Sequence, residues 1–323
     1  ILDRCYIHPQ IETSGTINGV QTAGAHFAIV DSYLDEMTRY GGNEPDSNAG
    51  EAQAVYFAVG PGPFKLENNY FQGPGITVFL QDDNSLNLRD DWLPSDITIR
   101  RNHFRWDPKW RYDPNDPVSI RKLGVIPRHL LEFKIGQRIL VEGNIFENTW
   151  TKINNAAAIM LSPRLTSSIR GRGQISGSRF TCYYNRPYYE FDPCDSVVVG
   201  EWVAITSGDA PSLRGLYQVS AKISSTSFEL AGMSGSSSDA CFMRVQGDYT
   251  IRDVTIRKNV FRNVANGIWA MGRTDYNLVN KTFQRLKIEG NLFESVSFLG
   301  DKQPAVSAFP NGFGGGHTLR VDL

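Results

Sequence analysis

Net charge is the first thing this sequence lacks. Its 33 lysines and arginines are matched by 34 aspartates and glutamates, leaving -1 at pH 7. Without a basic excess there is no electrostatic footprint for nucleic acid or an anionic membrane. No apolar run approaches the roughly 18 residues that span a bilayer. With only 4 cysteines and 5 histidines, no Cys/His spacing suggests a zinc site. The histidines (His8, His26, His103, His129 and His317) do not group, and no Ser/His/Asp order stands out. Gly312–Gly316 precedes no helix, which makes it a poor phosphate cradle. Helix formers are outweighed by 30 glycines, by asparagine and by short Val/Ile-rich runs, a composition that favours an all-β solenoid or sandwich.

What the chain has instead is a repeated strand-and-turn unit. Asp253–Phe261 alternates apolar and polar residues into Asn259, with Phe261 two places later. The unit recurs around Asn69, Asn102, Asn144 and Asn291, and in weaker form around Cys5 and Ser32. Steps of 27, 37, 33 and 42 residues separate the positions from Cys5 to Asn144, and 32 separate Asn259 from Asn291. A fixed unit with variable loops is the mark of a solenoid. Strand alternation predicts Val254, Ile256, Asn259 and Phe261 facing in, and Thr255, Arg257 and Val260 facing out. A buried asparagine in every coil needs partners. The expectation is a ladder in which each amide bonds the backbone of its own turn and the next asparagine.

These repeats resemble the right-handed parallel β-helix of the pectate-lyase-like superfamily, over about residues 1–168 and 248–323. Gly60–Phe71, Leu130–Lys134 and Val141–Asn148 are similar to secreted bacterial β-helix-repeat proteins. The resemblance implies a fold class, all-β with a right-handed parallel β-helix, without singling out an activity; that superfamily holds lyases, hydrolases, epimerases and non-enzymes. Residues 169–247 break the pattern. Val197–Ile205, Gly215–Ser220 and Thr226–Leu230 read as a small inserted antiparallel β domain, similar to modules of phage tail and surface proteins. The expected organisation is thus β-helix over 1–168, the insert over 169–247 and β-helix again over 248–323. Three cysteines fall in the insert, where a Cys182–Cys194 disulfide is the simplest pairing and would fit an oxidising compartment. Cys5 reads as a core thiol. Ile1 lies inside a repeat and Leu323 follows no capping element, so a processed or trimmed chain is expected.

Several rows of side chains carry possible chemistry. Glu67, Arg100, Glu142, Arg257 and Glu289 alternate in sign from rung to rung, as stacked ion pairs should. Tyr6, Tyr33, Tyr70 and His103 form an aromatic row, either a sugar platform or a stabilising stack. Richest is the face of the strands that follow the turn, Ala54–Val59, Gly75–Leu80, Ala157–Leu161 and Gly267–Met271. With Ile76, Ile159 and Ile268 inward, the outward set is Thr77, Phe79, Gln81, Met160, Ser162, Trp269, Met271 and Arg273, joined by Glu132 and Lys134. Asp82, Asp83, Arg164 and Asp275 follow just beyond.

A groove of acids, cations and an exposed indole suits a polysaccharide. Trp269, Gln81 and Glu132 are its expected contacts, with Trp106 and Trp110 as a sugar-stacking lid or a shield over the coil edge. The resemblance to uronate lyases implies Ca2+ on Asp82 and Asp83, with Lys134, Arg164 or Arg273 as base. A glycosidase would draw two carboxylates from Asp82, Asp83, Glu132 and Asp275. Asp82–Ser85 also reads as a plain polar turn. No lyase or polygalacturonase motif is intact. The expectation is a secreted or cell-surface polysaccharide-binding protein, with lyase or glycosidase chemistry open; the alternative is a non-catalytic rod for adhesion or assembly.

Overall fold

The structure, a computed structural model, describes residues 1–9, 18–38, 52–80, 93–111, 127–150, 156–163, 170–183, 194–195, 197–245, 251–271, 283–296 and 306–309. Three seven-stranded parallel sheets dominate it, and each turn of the chain adds one strand to every sheet. The fifth rung, for example, consists of Gly136–Glu142 in the first sheet, Ile145–Glu147 in the second and Ala157–Leu161 in the third. This arrangement fits a parallel β-helix. No helix among the described residues is long and apolar enough to cross a membrane.

The repeated motif forms the turn from the first sheet to the second. The residue before each ladder position is left-handed: Arg4, Asp31, Asn68, Arg101 and Lys258 have φ of 50–56°, and Gly143 and Gly290 have 65° and 60°. The ladder runs unbroken from Asn69 through Asn102, Asn144 and Asn259 to Asn291, with amide-to-amide distances of 2.9–3.0 Å. Each Oδ1 also accepts the backbone N–H of the preceding ladder asparagine, as Asn144 does from Asn102 at 2.9 Å. The other amide hydrogen does not bond the asparagine's own turn. It reaches the preceding rung, from Asn144 to the Ile99 carbonyl at 2.9 Å and from Asn259 to that of Val141 at 3.0 Å. Each interior amide, of Asn102, Asn144 and Asn259, therefore ties its own rung to both neighbours, which a bond within one turn would not do. Ser32 ends the ladder by accepting the Cys5 N–H on its hydroxyl at 3.0 Å; Cys5 itself is half-buried with a free thiol.

Two residues beyond the ladder, Phe104, Phe146, Phe261 and Phe293 stack at 4.6–5.1 Å with planes within 10°. One continuous apolar core runs through these rungs. Trp106 and Trp110 belong to it, at 0% and 2% exposure. The Trp106 indole donates to Thr77 Oγ1 at 3.2 Å and meets Trp150 edge-on at 5.1 Å. Of the two readings of this pair, a sugar-stacking lid or a shield over the coil edge, burial argues against the lid: both indoles are packed in the core. Trp106 lies two places after inward Phe104, so its inward direction continues the strand alternation past the strand end.

Between the fifth and sixth rungs the chain forms a closed antiparallel barrel of six strands, from Arg170–Ser176 to Ser236–Val245. Cys182 and Cys194 are disulfide-bonded at its core. Its first and last strands escape a reading by alternation because one is Arg/Gly-rich and the other opens with Ser-Ser-Ser-Asp. The coil then resumes in register, with Ile139 opposite Val254 and Phe146 opposite Phe261.

Candidate functional site

Outer faces differ sharply among the three sheets. On the first, Arg100 pairs with Glu67 at 2.9 Å, and Arg257 bridges Glu142 at 2.9 Å and Glu289 at 3.9 Å, so the expected sign alternation is built from ion pairs. A second alternating row joins Arg138 to Asp96 and Arg285 to Asp253. On the second sheet Arg262 pairs with Glu294 at 2.9 Å. These charges answer one another and leave little for a ligand.

Among the described residues the third sheet has no such ladder. Parallel register places Tyr56, Phe79, Glu132, Met160 and Trp269 in one row across five rungs, at about 4.8 Å per step. Trp269 packs with Ala157, Met160 and Met271 in an apolar cluster separate from the coil core, and stays half-exposed. Beside it, Glu132 accepts the Ser162 hydroxyl at 2.7 Å and is 4% exposed. The Lys134 ammonium lies 4.7 Å from the centroid of the Phe79 ring, where the ring quadrupole attracts it.

His129 completes the group. Its Nδ1 accepts the Ala157 N–H at 3.2 Å, which leaves the proton on Nε2, 4.0 Å from Glu132 Oε2. Burial pulls the imidazole down to about 4 despite the opposing attraction of Glu132. Histidine and glutamate are therefore not an ion pair at neutral pH; a neutral imidazole edge faces a carboxylate. A buried acid, an ammonium and a half-exposed indole share one face of the third sheet.

Structure thus brings together Phe79, Glu132, Lys134, Ser162 and Trp269 of the outward set read from sequence, and adds His129. His129 escaped sequence reading because it groups with nothing along the chain; only rung register sets it beside Ala157. Gln81, Asp82, Asp83, Arg164, Arg273 and Asp275 lie outside the described residues, and the expected Ca2+ position with them. Among the described residues no cluster of three or more His, Cys, Asp or Glu side chains forms a metal site. The aromatic row stands elsewhere, on the second sheet, with Tyr33 and Tyr70 face to face at 4.3 Å. No protein-family model matches the chain, and no curated protein matches it.

Proposed function

We propose that the protein binds an extracellular polysaccharide against the outer face of its third sheet. The observation that carries this reading is the common row of Glu132 and Trp269, two rungs apart, with Ser162 bonded to the carboxylate, His129 4.0 Å from it and Lys134 over the neighbouring Phe79 ring. Trp269 offers an apolar surface for a sugar ring, while Glu132, oriented by the Ser162 hydroxyl, offers an acceptor for sugar hydroxyls. Lys134 adds a cation suited to a uronate carboxylate. The Cys182–Cys194 disulfide supports a secreted or cell-surface location. The parallel sheets and asparagine ladder support membership of the pectate-lyase-like superfamily. A right-handed coil follows from the near-universal handedness of parallel crossovers.

The test is a panel of polyuronates and neutral glycans titrated into the chain, Glu132→Gln and Trp269→Ala. Binding should weaken at least tenfold in each variant with the fold intact by circular dichroism. Equal affinity in all three would refute this site. The same samples, with calcium and with chelator, report unsaturated-uronate absorbance and new reducing ends. Absorbance would make the protein a lyase and reducing ends alone a glycosidase. Binding without either would leave a non-catalytic glycan receptor, and no binding at all would leave the structural rod.

A further inference from the structure

A crease of about 570 Å³ follows the turn between the first and second sheets, on a face distinct from the third-sheet site. Ladder backbone lies along its base. One wall is the left-handed turn position, with Arg4, Asn68 and Arg101; the other is Tyr33, Tyr70 and His103.

Both walls favour hydrogen bonding over apolar contact. Tyr33 and Tyr70 use their ring faces on each other, at 4.3 Å and 7°, and His103 stands edge-on to Tyr70 at 5.3 Å. The Tyr33 and Tyr70 hydroxyls interact with one another and with Arg105, which leaves ring edges and hydroxyl lone pairs for a ligand. Burial, reinforced by Asp35, pushes the Tyr33 phenol up to about 12, so it stays protonated across the physiological range. On the opposite wall Arg4 meets Asp3 at 2.9 Å, Asn68 donates to Asp31 at 2.6 Å and Arg101 is held by Glu67. These contacts offset the positive charge, and with the Asp31 carboxylate standing between Arg4 and Asn68 the wall presents both donors and an acceptor, matched to hydroxyl groups rather than to a polyanion.

Spacing selects among uncharged polymers. The walls repeat at about 4.8 Å, whereas an extended polypeptide advances about 3.3 Å per residue and drifts out of step. An extended pyranose chain repeats close to the strand spacing. We infer that the crease is a second glycan site, which takes a linear, neutral oligosaccharide laid along the coil axis.

Glycine already occupies the wall position in two rungs, as Gly143 and Gly290. Arg4→Gly, Asn68→Gly and Arg101→Gly together therefore strip the wall while suiting the left-handed backbone. Linear glucan, xylan and mannan oligosaccharides are titrated calorimetrically into the full chain, this triple variant, Tyr33→Phe/Tyr70→Phe and Glu132→Gln/Trp269→Ala. Expected are a loss of at least tenfold in affinity in the triple variant at unchanged Tm, and about threefold in the tyrosine pair, which keeps its stack. The Glu132/Trp269 pair should retain crease binding. Full affinity in the triple variant, or no binding of any of these oligosaccharides to the wild-type chain, overturns the crease site. Loss confined to the Glu132/Trp269 pair overturns the crease and leaves the third-sheet site standing; loss confined to the triple variant does the reverse.

Discussion

The first and third sheets are built from the same turns of chain, yet their outer faces follow opposite rules. On the first, neighbours repeat a theme: Asp96 with Arg138, Asp253 with Arg285, Glu142 with Arg257. On the third, consecutive rungs present Phe79, Glu132, Met160 and Trp269, four different chemistries. A solenoid is stabilised by like stacked on complement, rung after rung. A position that abandons the pattern forgoes that gain, and the third sheet abandons it while burying Glu132 and Lys134, groups costly to remove from water. In this molecule repetition marks structure, and its interruption marks the candidate site.

That contrast can be broken most severely from inside the coil. Asn144→Ala removes an amide that donates to Ile99 and Asn259 and accepts from Asn102 twice, all out of contact with water. Each stranded buried group costs about 1–3 kcal/mol, so a loss of at least about 3 kcal/mol is expected in urea unfolding. A loss under about 1 kcal/mol would show that the ladder is not structural.

A next effect sharpens the comparison from the third sheet. Below its ordinary value of 6.5, His129 takes up a proton in the unfolded chain that the folded site refuses until about pH 4. Stability should therefore be unaffected above pH 6.5 and fall as pH drops through that window, by roughly 3 kcal/mol for this group at pH 4. In His129→Asn, whose side-chain oxygen can still accept from Ala157, that part of the acid dependence should vanish. Identical pH profiles for the two proteins would refute the buried neutral imidazole.

The smallest effect is expected where repetition is most visible. Asp96 and Arg138 are half-exposed, and exposed pairs contribute about 0.2–1 kcal/mol. A double-mutant cycle with Asp96→Ala and Arg138→Ala should return a coupling within that range and shrink in salt. A coupling above about 2 kcal/mol would mean that the outer ladders rival the inner one.

How much of this was legible in the sequence follows from which features are local. The ladder was readable because Asn, then Phe two places on, recurs in five units. Outward positions such as Glu132, Lys134 and Trp269 followed from parity along a single strand. For Trp106 and Trp110 the sequence left a lid and a shield both open, although Trp106 keeps the inward parity of Phe104 and both are buried. His129 was unreadable for a different reason. Glu132 lies only three places on, but the Ala157 N–H that fixes the imidazole is 28 residues away, a proximity created by loop lengths and not by any motif.

The barrel's point of insertion also governs how the chain is made. Asn144 and Asn259 are hydrogen-bonded neighbours separated by 115 residues. During translation the fifth rung is thus complete long before its successor leaves the ribosome, and for that interval it is an unpaired edge open to wrong partners. A barrel that folds while the coil waits draws its two ends together and turns a long search into a short one. The inserted module thus bears on assembly: pairing of its first and last strands, Arg170–Ser176 with Ser236–Val245, returns the chain to the place where the next rung must join.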